Sequence, residues 1–159
     1  MSVNLPPFQV LLEKHRADVY RFLVATAGRS EADDAFQETW IAALRAYPKL
    51  RRADNLRAWL FRIAQNKSID AHRARGRRAV PVAAVPEGAS SGVIAVAADD
   101  ELWERVRDLP AKQRTAVYCR VVLGMPYDEL AVLLQSSEDA ARRNVHEGLK
   151  RLREELTHV

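Results

Sequence analysis

Asp34, Gln37, Glu38 and Ile41 recur at three- and four-residue steps, so they share one face if the stretch is helical. Carboxylates beside an amide suit a basic partner surface held in a fixed register. The simpler alternative is that Asp33 and Asp34 only favour a helix N-terminus. A carboxylate-pair enzyme is the weakest alternative. A di-metal centre wants a pair of Glu-x-x-His motifs, and of His15, His72, His146 and His158 only His158 stands in one, Glu155-Leu-Thr-His158.

A second constellation follows directly. Between Lys49 and Arg78 stand ten Lys/Arg and only two acids, Asp54 and Asp70, a local excess larger than the net charge of +4 on the whole chain. Trp59 and Phe61 interleave with Arg57, Arg62 and Lys67. Arginines neutralise phosphates and release counterions, while aromatics stack on unpaired bases. The alternative is that Trp59 and Leu60 are core and the arginines solvated, and for Trp59 the core is preferred. Asn66 and Asp70 have a structural hydrogen-bonding alternative, since an Asp inside a basic helix orients arginines as readily as it touches a base.

The third constellation is C-terminal. Tyr127 to Leu134 reads as a short helix, Gln135-Ser136-Ser137 as a polar turn, and Glu138 to Leu156 as a long helix. That is a helix-turn-helix, whose second helix commonly enters the DNA major groove. Ser136, Ser137, Arg142, Arg143 and His146 lie near the start of that second helix. Arginine can contact guanine bidentately, and serine can bond phosphate.

The elements that must position these groups are helical. The 159 residues suffice for one ordinary domain or two small ones, and 48% are hydrophobic, enough for a core. Ala, Leu, Arg and Glu dominate, and period-two runs of Val, Ile and Thr are scarce, so an all-α fold is expected. Pro6 and Pro7 start a first helix whose stripe holds Leu11, His15, Val19, Phe22 and Leu23; Gly28 ends it. Ser30 and Asp33 form a candidate capping pair for the second helix, which Pro48 stops. Asp54 or Asn55 can cap a third, with Leu56, Leu60, Ile63, Ala64 and Ile69 inward. Ala79 to Ala98 carries two prolines, two glycines and one charge, and reads as a flexible linker. Helices resume near Asp99, and Pro110 opens one that runs through Val117, Val121 and Val122 and is ended by Gly124.

Cys119 is the single cysteine, which excludes an internal disulfide and a cysteine-rich zinc site; a small buried apolar role is expected. No Gly-rich phosphate loop, metal-ligand cluster or nucleophile with a paired base is visible, so no catalytic residue, no cofactor and no metal are expected. Met1 to Pro7 lacks the pattern of a signal peptide, and no apolar run reaches the roughly 20 residues that span a bilayer. A soluble cytoplasmic protein without membrane insertion is expected.

Two stretches resemble a known family. Asp34-Ala-Phe-Gln37-Glu38-Thr-Trp40 resembles the D-x-x-Q-E-[TV]-[FW] signature of region 2 in sigma factors of the sigma-70 family. Arg57, Trp59, Leu60, Ile63, Ala64, Asn66, Ile69, Asp70 and Arg73 stand at the spacing of the R-x-W-L-x-x-I-A-x-N-x-x-I-D-x-x-R that follows it. Leu109-Pro110 and Gly124-Met-Pro-Tyr127-Asp-Glu129-Leu-Ala131 resemble region 4. The absence of regions 1.1 and 3 points to the extracytoplasmic-function (ECF) group.

The resemblance implies two helical domains: residues 5–78 as region 2, 79–98 as linker and 99–159 as region 4. It implies that Asp34, Gln37, Glu38 and Ile41 dock on the β′ clamp helices of core RNA polymerase, and that region 4 meets the β flap. It implies that Leu50, Arg51, Arg52 and Asn55 form a pocket for a flipped base of the minus-ten element. Arg57, Trp59, Arg62, Asn66, Asp70 and Arg73 belong to the same promoter surface. Ser136, Ser137, Arg142, Arg143 and His146 would meet the minus thirty-five element. An anti-sigma factor is the implied regulator. The second helix departs from the family: Asp139-Ala140-Ala141 replaces the usual Gly-Thr-Val, Glu147 replaces an arginine, and from Ser137 to Leu156 five basic residues face five acidic ones. Two alternatives stay open, a stand-alone helix-turn-helix regulator and a sigma-like chain that sequesters a partner.

Overall fold

The computed structural model describes residues 4–77 and 100–157, and for residues 75–77 and 100 the backbone alone. Among them are seven α-helices, one 3-10 turn and no strand. The linker assigned to Ala79–Ala98, together with Arg78 and His158, lies outside the described residues.

Helix α1 (Phe8–Ala27) begins straight after Pro7 and ends where Gly28 takes φ 91°, its N–H bonding the Val24 carbonyl at 3.0 Å. Helix α2 (Arg29–Ala46) follows without a loop. Ser30 therefore lies inside α2, and no side-chain cap forms. The expected Ser30–Asp33 pair is replaced by Gly28, whose carbonyl takes the Glu31 N–H at 3.2 Å. Asp33 instead accepts a hydrogen bond from Tyr20 Oη at 2.8 Å, tying α2 to α1. Pro48 sits in a 3-10 turn, Tyr47–Lys49, that closes α2. Helix α3 (Leu56–Arg77) starts after Asn55, which adopts φ 60° and accepts the Trp59 N–H at 3.0 Å. Asn tolerates that left-handed conformation better than most residues.

In the second block α4 (Asp100–Asp108) leads through Leu109-Pro110 into α5 (Ala111–Val121). Arg114 is buried and donates Nη1 to the Arg107 carbonyl at 2.9 Å, placing a guanidinium at the C-terminal end of α4. Helices α6 (Tyr127–Leu134) and α7 (Glu138–Thr157) form the helix-turn-helix. Gln135 is left-handed in the turn (φ 54°), and Ser136 N–H bonds the Ala131 carbonyl at 3.0 Å, the pattern that closes a helix C-terminus. Helix α5 ends at Val121, before the expected Gly124, and Val121 and Val122 are more than half exposed, while Thr115, Ala116, Val117, Tyr118 and Cys119 are buried.

One hydrophobic core runs through both blocks. Phe22 of α1 is fully buried and stands edge-on to Phe61 of α3 (centroids 5.4 Å apart) and to Tyr118 of α5 (5.5 Å). Burying aromatic rings this way supplies area and a preferred geometry together. Phe61 is thus a core residue and unavailable to stack on a base, contrary to its reading from sequence. A smaller cluster of Val106, Leu109, Val117 and Leu152 joins α4, α5 and α7.

Candidate functional site

The acidic face forms as spaced. Asp34, Gln37, Glu38 and Ile41 are all exposed, because Ala32, Ala35, Thr39 and Ala43 turn the opposite side of α2 inward. Thr39 satisfies its buried hydroxyl by donating to the Ala35 carbonyl at 2.7 Å. Between α1 and α2 lies a groove of about 340 Å³, lined by Leu12, Arg16, Phe36, Gln37, Trp40 and Ile41. Gln37 and Ile41 belong to both the groove and the acidic face. Trp40 Nε1 is buried beside the groove without a hydrogen-bond acceptor. Phe36 and Phe8 hold the Trp40 ring edge-on at 6.1 and 6.0 Å.

The second set divides along α3. Arg51, Arg52 and Asn55 are exposed in the loop before the helix, with Leu50 half-buried. Trp59 is half-buried and tilted against Tyr47, ring centroids 6.0 Å apart, so its environment is mainly packing. Asn66, Asp70 and Arg73, three or four residues apart, are exposed on one face. Arg57 and Arg62 are different. Arg57 donates Nε and Nη2 to the two carboxylate oxygens of Glu129, at 2.6 and 2.5 Å. Arg62 donates Nη2 to the Val132 carbonyl at 2.8 Å. Both acceptors lie on α6, so the first half of the helix-turn-helix covers the first turns of the basic helix. The Glu129 hydrogen bond raises the Arg57 pKa above its ordinary value, against the opposing pull of burial.

This seam was not legible in sequence, since Arg57 and Glu129 are 72 residues apart. It also collects two groups that carry no charge at neutral pH. His15 is buried on α1, and its pKa is lowered by burial first, then by Lys14 and Arg57, against Asp18 and Glu129. Cys119 is fully buried, and burial pushes its thiol well above the ordinary range, with Glu129 adding to the rise and Arg57 opposing it.

The third set is brought together at the start of α7. Ser137, Arg142, Arg143 and His146 are exposed and Ser136 is half-buried. Ala141, Val145, Gly148 and Leu152 form the inner face. Ser137 Oγ accepts the Ala140 N–H at 3.1 Å, so this serine caps α7. Arg142 lies over the Tyr127 ring at 4.7 Å and 3.8 Å from Asp139. Arg120, which sequence reasoning missed, lies over the same ring at 4.2 Å.

Among the described residues no cluster of His, Cys, Asp and Glu could hold a metal, and no helix is long and apolar enough to cross a membrane.

The two blocks match two family models, Sigma-70 region 2 over residues 11–78 and Sigma-70 region 4 over residues 99–152. The chain is 38% identical to the ECF RNA polymerase sigma factor SigD of Mycobacterium tuberculosis, over 92% of this chain and 75% of that one. It is 26% identical to the RNA polymerase sigma factor CarQ of Myxococcus xanthus, over 94% and 88%. Its fold is similar to that of the sigma factor RpoE solved with the anti-sigma factor NepR from Bartonella quintana (TM-score 0.70, 22% identity, 94% of this chain and 96% of that one). It is similar too to CnrH solved with the cytosolic domain of CnrY (TM-score 0.68, 23% identity, 95% and 88%).

Proposed function

The chain belongs to the ECF RNA polymerase sigma factors of the sigma-70 family, and from that premise we propose how its surfaces divide the work. As an ECF sigma factor it binds core RNA polymerase and directs it to promoter DNA for transcription initiation. Residues 5–78 dock on polymerase and handle the minus-ten element; 79–98 connect; 99–159 handle the minus thirty-five element and meet the β flap. The protein acts in the cytoplasm and adds no catalytic group, the nucleotide chemistry being the polymerase's.

The observation that carries the docking role is the exposed quartet Asp34, Gln37, Glu38 and Ile41 beside the Trp40 groove. Carboxylates on the rim attract a basic helix, and the apolar floor buries its side chains. The loop Leu50, Arg51, Arg52 and Asn55 is assigned the flipped base, and Asn66, Asp70 and Arg73 the junction where the duplex opens. The seam favours a sequence of events. Arg57 and Arg62 are held by α6, so they meet DNA only once α6 has left α3. Polymerase, whose sites for the two regions lie apart on the promoter, would draw the halves open. An anti-sigma factor would favour the closed form. RpoE, solved with the anti-sigma factor NepR, supports the expectation of such a partner.

The test is reconstitution with purified core polymerase and promoter-bearing genomic fragments, followed by sequencing of transcript starts. Discrete starts that depend on the protein and vanish with Asp34→Arg/Glu38→Arg are expected. A double variant that still supports those starts removes the docking assignment, and starts that never appear remove the initiating role.

A further inference from the structure

We propose that Tyr127 is a positioning residue whose ring holds the Arg142 guanidinium in the plane from which it reads a guanine edge in the upstream promoter element. This rests on the reading of α7 as the helix that meets duplex DNA. Nothing in the motif itself assigns Tyr127 such a role. It is the first residue of α6, fixed behind the buried Met125 and the extended Pro126, and half-buried.

Two guanidinium groups stand over this one ring, Arg120 at 4.2 Å and Arg142 at 4.7 Å from its centroid. They are held unequally. Arg120 donates Nη1 to the Met125 carbonyl at 2.9 Å, so it is anchored to the turn that carries the tyrosine. Arg142 has, besides the ring, an ion pair with Asp139 at 3.8 Å, where Asp139 is 89% exposed. A pair that open to solvent holds little. The ring is therefore the firmer hold on Arg142, since a guanidinium stacks flat on an aromatic face.

Orientation matters because a bidentate contact to guanine O6 and N7 needs the guanidinium plane aligned with the base. A free arginine loses rotamer entropy on making that contact, and a stacked one has already lost much of it. On a helix whose charges balance, discrimination depends on such fixed cations rather than on general attraction.

The test uses the full-length protein with core polymerase on a promoter first mapped by transcript sequencing. The readout is the half-saturating concentration on the same promoter with its upstream element scrambled, divided by that on the intact promoter. Arg142→Ala should lower this ratio about ten-fold. Tyr127→Leu should lower it about five-fold, and Tyr127→Phe, which keeps the ring face, should leave it within about two-fold of the parent. Tyr127→Leu/Arg142→Ala should be no worse than Arg142→Ala. Effects that multiply in the double variant overturn the inference, as does a Tyr127→Leu loss equal on both promoters. An Arg142→Ala protein with an unchanged ratio removes the reading of α7 beneath it. Should Tyr127→Leu not fold, Arg142→Lys carries the test: it keeps the charge, loses the flat group, and should lose as much as alanine. A lysine variant with the parental ratio overturns the proposal.

Discussion

Helices α3 and α7 both carry arginines suited to DNA, and the fold treats them in opposite ways. The α3 arginines come from the most basic stretch of the chain, yet Arg57 is engaged on both carboxylate oxygens of Glu129 and Arg62 on the Val132 carbonyl. Helix α7 has balanced charge and leaves Arg142, Arg143 and His146 exposed. The strong cation surface is partly shielded and the weak one is open. A strongly basic helix attracts any polyanion, so covering part of it restrains unspecific binding. A neutral helix has little to restrain, and its contribution lies in placement.

The largest expected effect comes from the core that makes the shielding possible. Phe22→Ala removes a fully buried ring between Phe61 and Tyr118 and should cost about 3–5 kcal/mol. Thermal unfolding gives the size. Amide exchange gives the location: α1, α3 and α5 should lose protection together, and loss confined to α1–α3 would mean that the halves do not share a core.

Next in size is the seam. Glu129→Gln leaves Arg57 part-buried with a neutral partner and should cost about 1–3 kcal/mol. Cys119 reports it directly, since the thiol is fully buried and unreactive while the halves are closed. Its labelling by a maleimide should quicken about ten-fold in Glu129→Gln, corresponding to about 1.4 kcal/mol of easier opening. The free protein should also bind unspecific DNA more tightly, with a steeper salt dependence. Asp139→Asn, on the open helix, should change stability by less than about 0.5 kcal/mol, its pair being exposed. Labelling as slow in Glu129→Gln as in the parent would abolish the distinction between the helices.

Gly148 sharpens the contrast from the side of α7. A Cβ there would stand 2.5 Å from Val117 Cγ2, a branched side chain with little freedom to turn away. Gly148→Ala should cost about 1–3 kcal/mol in thermal unfolding and tilt α7 away from α5. It should thereby weaken upstream-element recognition while Cys119 labelling barely changes.

The helices were legible because their signals are local. Pro7, Gly28, Pro48, Pro110 and the Gln135-Ser136-Ser137 turn punctuate periodic stripes, and α6 begins and α7 starts where those stripes place them. The acidic face was legible for the same reason, three- and four-residue spacing being a property of one helix. Phe61 was misread because α3 is buried on a wide arc, so a ring two residues from a half-exposed tryptophan can still be core. The Arg57–Glu129 pair and the two arginines over Tyr127 depend on elements far apart in the chain, and no spacing announces them.

The smallest effect joins the seam to pH. Buried His15 has a lowered pKa, so the folded protein favours its neutral form, whereas in the unfolded chain it titrates near the usual value of about 6.5. Between the lowered value and about 6.5 the unfolded state binds more protons. The stabilisation from neutral His15 is therefore complete above about pH 6.5 and is lost as pH falls from there toward the lowered value, at up to about 1.4 kcal/mol per pH unit. Melting temperatures from pH 7.5 to 5.5 should fall, and His15→Gln should flatten that fall. The seam sets the sign of two further changes. Arg57 lowers the His15 pKa and Glu129 raises it, so Arg57→Ala should soften the acid sensitivity and Glu129→Gln should deepen it. Equal pH slopes in those two variants would show that His15 responds to burial, Lys14 and Asp18 alone, and that the charges covering α3 do not reach it.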